Sequence, residues 1–225
     1  MDAIYVVALL IFFITFVTFA LTIKSLIAGK RSPSSRGLEQ EDESEQMETL
    51  KNVTGASFAV LDFETTGLSA YNDRIIEVGM FLYEVDSRRL GTGSVLLNHN
   101  ISIPRIITKI TGITRKEIEA NGIDPKDAIE SVLERISGYE TVWAYNAPFD
   151  EGFLREEVQR LGITGTVPNI KCILELVRDT FDFDSYKLSD VCDSLTIYAG
   201  DSHRALDDAT AAGHVLMRCA EASQQ

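Results

Sequence analysis

The sequence predicts an α/β domain with a mixed sheet, preceded by one transmembrane helix. Two observations carry this. Strand-like segments come first as a meander and then alternate with helical spacings, an order that indicates a mixed sheet flanked by helices. Ahead of them, Ala3 to Ile23 contains no charged residue.

At about 1.5 Å rise per residue, a helix over residues 3–23 covers roughly 30 Å, the thickness of a bilayer's hydrocarbon core. Only three threonines interrupt the run after Tyr5. It therefore lacks the polar stripe of a helix packed on a soluble core. It is also too long, and its N-terminal flank too poor in basic residues, for a cleaved signal peptide. Lys24, Lys30, Arg31 and Arg36 follow the span, and basic residues beside a span favour the cytoplasmic side. The expectation is a single-pass membrane protein whose domain faces the cytoplasm. Residues 24–51 turn from Ser, Pro and Gly to a strongly acidic run and read as a flexible linker. The folded domain is expected over residues 52–225.

Within it, Ser57 to Leu61 is a short apolar run consistent with a buried strand, and Ile75 to Val85 is a longer one. The run Arg88 to Gly93 has the composition of a hairpin turn, with Ser94 to Leu97 as the returning strand. Ala128, Ile129, Val132, Leu133 and Ile136 have helical spacing after Pro125. Thr141 to Tyr145 is a further strand. Pro148 suits the first turn of a helix running to about Leu161. Ile170 to Phe181, Leu188 to Leu195 and Ala205 to about Ala220 read as helices.

From residue 52 onward, 16 basic residues face 27 acidic ones, a net of −11. That balance is a poor match for coating long duplex nucleic acid. Cys172, Cys192 and Cys219 form no CxxC pair, which fits ordinary thiols in a reducing compartment.

Three separated segments carry chemistry. Asp62 and Glu64 lie two apart in VLDFETTG, so on a strand both carboxylates share one face. Asp150 closes NAPFD and falls in the first turn of a helix, where an acid is favoured anyway. His203 and Asp208 lie five apart in HRALDD. Within one helix that step leaves them about 140° apart, so His203 belongs on the loop before the helix that carries Asp208. Four carboxylates and one imidazole can hold divalent cations and activate water. His99, His214, Glu77, Asp182, Asp184 and Asp207 read as structural or solvated.

The motifs DFETTG, NAPFD, YKLSD and HRALDDA, with ITGIT at Ile110 to Thr114, resemble the DEDDh family of 3′–5′ exonucleases, the DnaQ-like or RNase T-like group. The resemblance covers about residues 56–220. It implies an RNase H-like exonuclease fold with a five-stranded mixed sheet. It also implies that Asp62, Glu64, Asp150 and Asp208 bind metal, that His203 is the general base, and that Thr65 and Leu68 meet the terminal nucleotide. Two positions depart from the pattern. Tyr145 stands where many relatives carry His, which bears on substrate fit. Thr196 stands where relatives often carry Gly.

The expected cofactors are two Mg²⁺ or Mn²⁺ ions, since hard cations suit carboxylate oxygens. The expected partners are single-stranded or 3′-ended nucleic acid and, through the N-terminal helix, the membrane. The competing expectation is a membrane-tethered, catalytically silent nucleic-acid-binding or interaction protein. Neither alternative role requires the three motifs together. The sequence leaves DNA and RNA undistinguished.

Overall fold

Alternation along one strand organises the domain. In the computed structural model, which describes residues 33–200 and 203–223, the strand β1 (Ser57–Thr65) is the middle of five. Phe58 and Val60 point to one side of it, and Ala59, Leu61 and Phe63 to the other. The strands β2 (Ile75–Glu84), β3 (Arg89–Leu96), β4 (Thr141–Ala144) and β5 (Ile170–Cys172) complete the sheet in the order β3–β2–β1–β4–β5. β1, β2 and β3 pair antiparallel, while β4 and β5 run parallel to β1. The five-stranded mixed sheet expected from the resemblance is present.

Eight helices are described: α1 (Pro33–Thr54), α2 (Arg105–Thr111), α3 (Arg115–Asn121), α4 (Pro125–Ile136), α5 (Ala147–Arg160), α6 (Ile173–Thr180), α7 (Leu188–Leu195) and α8 (Ala205–Ala222). α4 and α5 cover the Ala59–Leu61–Phe63 face through buried Ile129, Val132, Phe153 and Leu154. The opposite face packs on α8 through Ala212, Val215 and Leu216, with α6 and α7 flanking. α4 matches the expected boundaries because its ends are written locally. The Asp124 side chain accepts from the amides of Lys126 and Asp127, and Pro125 occupies the first turn.

Several elements differ from expectation, each for a physical reason. β3 begins at Arg89, so Gly91 and Gly93 lie within a strand rather than in the turn. The turn is shorter and holds Arg88 at φ 51°. β3 is an edge strand and largely exposed, where glycine's missing side chain costs little packing. Ile170–Cys172 forms β5 instead of starting a helix. Its three residues extend the parallel edge beside β4 and α6 follows at once. α2 and α3 were not expected; seven residues each are too few for periodicity to register.

The linker and its boundary also differ. Pro33–Thr54 is helical where a flexible tether was expected to residue 51. Its last turns are part of the domain. Leu50 is 5% exposed in the core facing α8, Met47 and Val53 pack beside it, and Lys51 pairs with Asp86 at 3.0 Å. The compact unit accordingly begins at Met47 rather than residue 52. The expected transmembrane span, residues 3–23, lies outside the described residues. Among those described, no helix is long and apolar enough to cross a membrane.

Candidate active site

The site continues the α8-facing side of β1. After Phe58 and Val60 the next residues on that side are Asp62 and Glu64, so the strand turns from apolar to acidic as it leaves the core. β1 runs past the apolar run Ser57 to Leu61 as far as Thr65, which places both acids on the strand. Opposite them on β2, Asp62 pairs with Gly79 and Glu64 with Glu77. Residues directly opposed in an antiparallel pair share a face. Gly79 has a steric function there, because a Cβ on it would lie 2.0 Å from the Ala205 carbonyl oxygen. The missing side chain lets the first residue of α8 rest on the sheet.

That contact brings Asp208 to the acids. It lies in the first turns of α8, and His203 lies on the preceding loop, as the spacing argument requires. His203 is exposed and holds a left-handed backbone, φ 68°. Its amide donates to Asp208 Oδ2 at 3.0 Å. Ligand atoms of Glu64, His203 and Asp208 all lie within 4.8 Å of one another. Asp150, 4% exposed in the first turn of α5, enters from the β4 side. The Phe63 amide, beyond the end of the β1–β4 pairing, favours its charged form.

Electrostatics tie the four acids together. Burial raises Asp62 well above the ordinary carboxylate range, and the charges of Asp150, Asp208 and Glu64 raise it further. Burial, then Asp208 and Glu77, push Glu64 to about 7, against a lowering by Arg204. Burial also pushes Asp150 to about 8. Asp208 is raised by burial, while the amide and charge of His203 oppose the rise. A cluster of oxygen donors that repel one another this strongly fits divalent cations, which would relieve the repulsion.

The DFETTG turn closes on Asp73. Gly67 does not have positive φ. Its missing Cβ instead admits the Asp73 carboxylate, whose Oδ2 would lie 2.4 Å from such a carbon. Asp73 also accepts from the Ser69 amide and the Thr66 hydroxyl, and the Thr66 amide donates to Arg74. Those two amides are therefore already engaged. Thr65 is 7% exposed and its hydroxyl donates to Gly67 at 2.6 Å, whereas Leu68 is 89% exposed. Tyr145 is packed in the core facing α8, and its hydroxyl donates to the Tyr186 carbonyl at 2.8 Å. It ties down the YKLSD segment. Thr196 caps α7 in the left-handed conformation, φ 57°, which explains why glycine suits that position.

Two residues of consequence escaped the sequence reading. Glu77, read as structural or solvated, is 2% exposed and accepts from the Arg204 guanidinium and the Ala205 amide. Arg204 also reaches Glu117 on α3 at 3.3 Å. The available signal was a lone acid inside the apolar run IIEVGMFL, which demands a partner.

The domain is thus a mixed α/β sheet that carries a cluster of acids towards the end of its middle strand. A family model described as Exonuclease, of the RNase T type, matches residues 59–216. The chain belongs to that exonuclease family. It is 34% identical over 187 residues to the PolC-type DNA polymerase III of Caldanaerobacter subterraneus, covering 77% of this chain and 13% of that protein. It is 32% identical over 171 residues to the 3′-5′ exonuclease DinG of Bacillus subtilis, covering 75% of this chain and 18% of that protein. The matched stretch is thus under a fifth of either relative. The nuclease domain of 3′hExo, a DEDDh family member bound to rAMP, superposes with a TM-score of 0.62 at 16% identity, over 72% of this chain and 90% of that one. E. coli exonuclease I in complex with a dT13 oligonucleotide gives 0.61 at 17% identity, over 73% and 40%. These two likenesses concern the fold.

Proposed function

We propose that the chain is a metal-dependent 3′–5′ exonuclease of the DEDDh type that releases nucleoside 5′-monophosphates. The observation that carries this is the meeting of Glu64, His203 and Asp208 within 4.8 Å, beside Asp62 and Asp150. Relatives named as a 3′-5′ exonuclease and as a DEDDh nuclease bound to rAMP support the direction and the type. E. coli exonuclease I also has a zinc-bound form with single-stranded DNA, which supports metal use.

Asp62, Glu64, Asp150 and Asp208 would hold two Mg²⁺ or Mn²⁺ ions, which when bound neutralise phosphate charge and acidify water. His203, on its exposed loop, takes a proton from the attacking water. An imidazole is the side chain most often used to accept a proton near neutral pH, which suits that role. The water oxygen bonds to phosphorus, the bond to the 3′ oxygen of the preceding nucleotide breaks, and that oxygen is protonated. Exposed Leu68 offers an apolar face to the terminal nucleotide, and Thr65 shapes the turn beneath it. A single-stranded 3′ end fits a net charge of −11 better than a duplex does.

The uncharged run at residues 3–23 and the basic residues after it support a membrane tether with the domain facing the cytoplasm. Protease protection of the C-terminal domain in intact cells checks that part. The enzymatic reading is tested with 5′-labelled single-stranded DNA, duplex DNA and RNA in the presence of Mg²⁺. Progressive shortening from the 3′ end with mononucleotide release is expected, abolished by chelation. Internal cleavage, or intact substrate under all conditions, overturns it.

A further inference from the structure

Arg204 follows the exposed His203, yet its guanidinium is built into the fold. Nη2 lies 2.8 Å from Glu77 Oε1 and Nε 3.2 Å from Oε2, a two-pronged contact with a carboxylate that is 2% exposed. The same Nη2 reaches Glu117 on α3 at 3.3 Å. The next residue adds a third tie, since the Ala205 amide donates to Glu77 Oε2 at 3.0 Å. Two consecutive residues after the proposed base are therefore fastened to one side chain. That side chain stands directly opposite Glu64 in the β1–β2 ladder.

We infer that Arg204 is a positioning residue for the reaction: gripped by Glu77 and Glu117, it fixes the loop that presents the His203 imidazole to Glu64 and Asp208. The inference rests on the exonuclease reading above. His203 needs such a hold, because its left-handed backbone is one that a side-chained residue seldom keeps unaided. The amide contact to Asp208 constrains it from one side only. The Glu77 carboxylate supplies a fixed reference on the sheet that carries the acids, so base and acids share one frame. The planar, forked guanidinium is what allows a single side chain to serve two carboxylates and keep its angle, which a lysine ammonium cannot do.

The test uses the full chain with single-stranded DNA and Mg²⁺. Arg204→Ala should lower kcat on the order of tenfold to a hundredfold, with KM within about twofold of wild type. Arg204→Lys should recover part of the loss. Because Arg204→Ala strands a buried carboxylate, the paired variant Glu77→Gln/Arg204→Met is made as well; it removes both charges at similar volume and should fold. Its kcat should also fall while its melting temperature stays near wild type. Wild-type kcat in any folded variant lacking Arg204 overturns the inference. So does a change confined to KM, which would make Arg204 a substrate contact. An inactive wild-type chain sinks the exonuclease reading and this inference together, whereas an active wild type with unaffected variants sinks this inference alone.

Discussion

A Cβ on Gly79 would meet the carbonyl oxygen of Ala205 at 2.0 Å. At this point β2 and α8 meet backbone on backbone, across the ladder from Asp62. Neither partner can yield by rotating a side chain. Gly79→Ala should push the start of α8 away from the sheet and carry His203 and Asp208 with it. A destabilisation of about 2 kcal/mol or more is expected from such overpacking, together with a loss of nuclease activity larger than the loss of folded protein explains. Thermal melts and activity at a temperature where the variant remains folded separate the two effects.

His203→Ala removes the imidazole without removing a core contact, since the side chain is exposed. Turnover should fall by about 10² to 10⁴, the usual contribution of general acid–base catalysis, with little change in melting temperature. Activity within a factor of two of wild type would remove His203 from the chemistry and leave the carboxylates alone to account for it.

The acid cluster makes stability depend on pH in a stated direction. Glu64 at about 7 and Asp150 at about 8 both lie above their ordinary values, and Asp62 and Asp208 are raised too. Between the unfolded and folded pKa values the folded state binds more protons, so its stability falls as pH rises. The loss begins near pH 4, where unfolded carboxylates ionise, and continues through about 7 for Glu64 and about 8 for Asp150. In EDTA the melting temperature should drop from about pH 5.5 to about pH 8.5. Asp62→Asn should flatten that slope. Millimolar Mg²⁺, binding the ionised cluster, should raise the melting temperature more at the alkaline end. A greater Mg²⁺ effect at the acidic end contradicts the cluster as the binding site.

The parts of this protein legible in its sequence are those written by local rules. Asp124 and Pro125 mark the start of α4, and the five-residue step from His203 to Asp208 places the imidazole on a loop. The two-residue step from Asp62 to Glu64 sets both acids on one side of β1. What the sequence conceals depends on partners remote in the chain. Ile170–Cys172 is a strand only because β4 offers an open parallel edge. Glu77 is part of the site only because Arg204, 127 residues later, folds back onto it. The helical turn around Leu50 joins the core cluster that also holds Phe58, Val85 and the buried residues of α8, a placement that an acidic segment does not announce.

Leu68 protrudes from the DFETTG turn at 89% exposure and so contributes little to stability. Leu68→Ala should leave the melting temperature unchanged and raise KM for a short single-stranded substrate several-fold, the effect of losing an apolar contact worth about 1 kcal/mol. Steady-state kinetics on oligonucleotides of different 3′ base check this. A fall in kcat with unchanged KM would place Leu68 nearer the reacting phosphate than its turn indicates.

Thr196 offers the opposite case, a residue that strains the fold without serving the site. It caps α7 at φ 57° and ψ 42°, and its amide already donates to the Asp193 and Cys192 carbonyls. A β-branched residue in the left-handed region costs about 1–2 kcal/mol, while glycine there adds a backbone-entropy cost of about 0.5–1 kcal/mol. Thr196→Gly should therefore stabilise the domain by about 0.5–1 kcal/mol. The hydrogen bonds at the cap need only the backbone, so they survive the change. Denaturant titration of both proteins gives the difference directly, and kcat should not move because none of the site's acids lies on α7. A destabilised variant would mean that the threonine side chain holds a contact worth more than the strain it imposes.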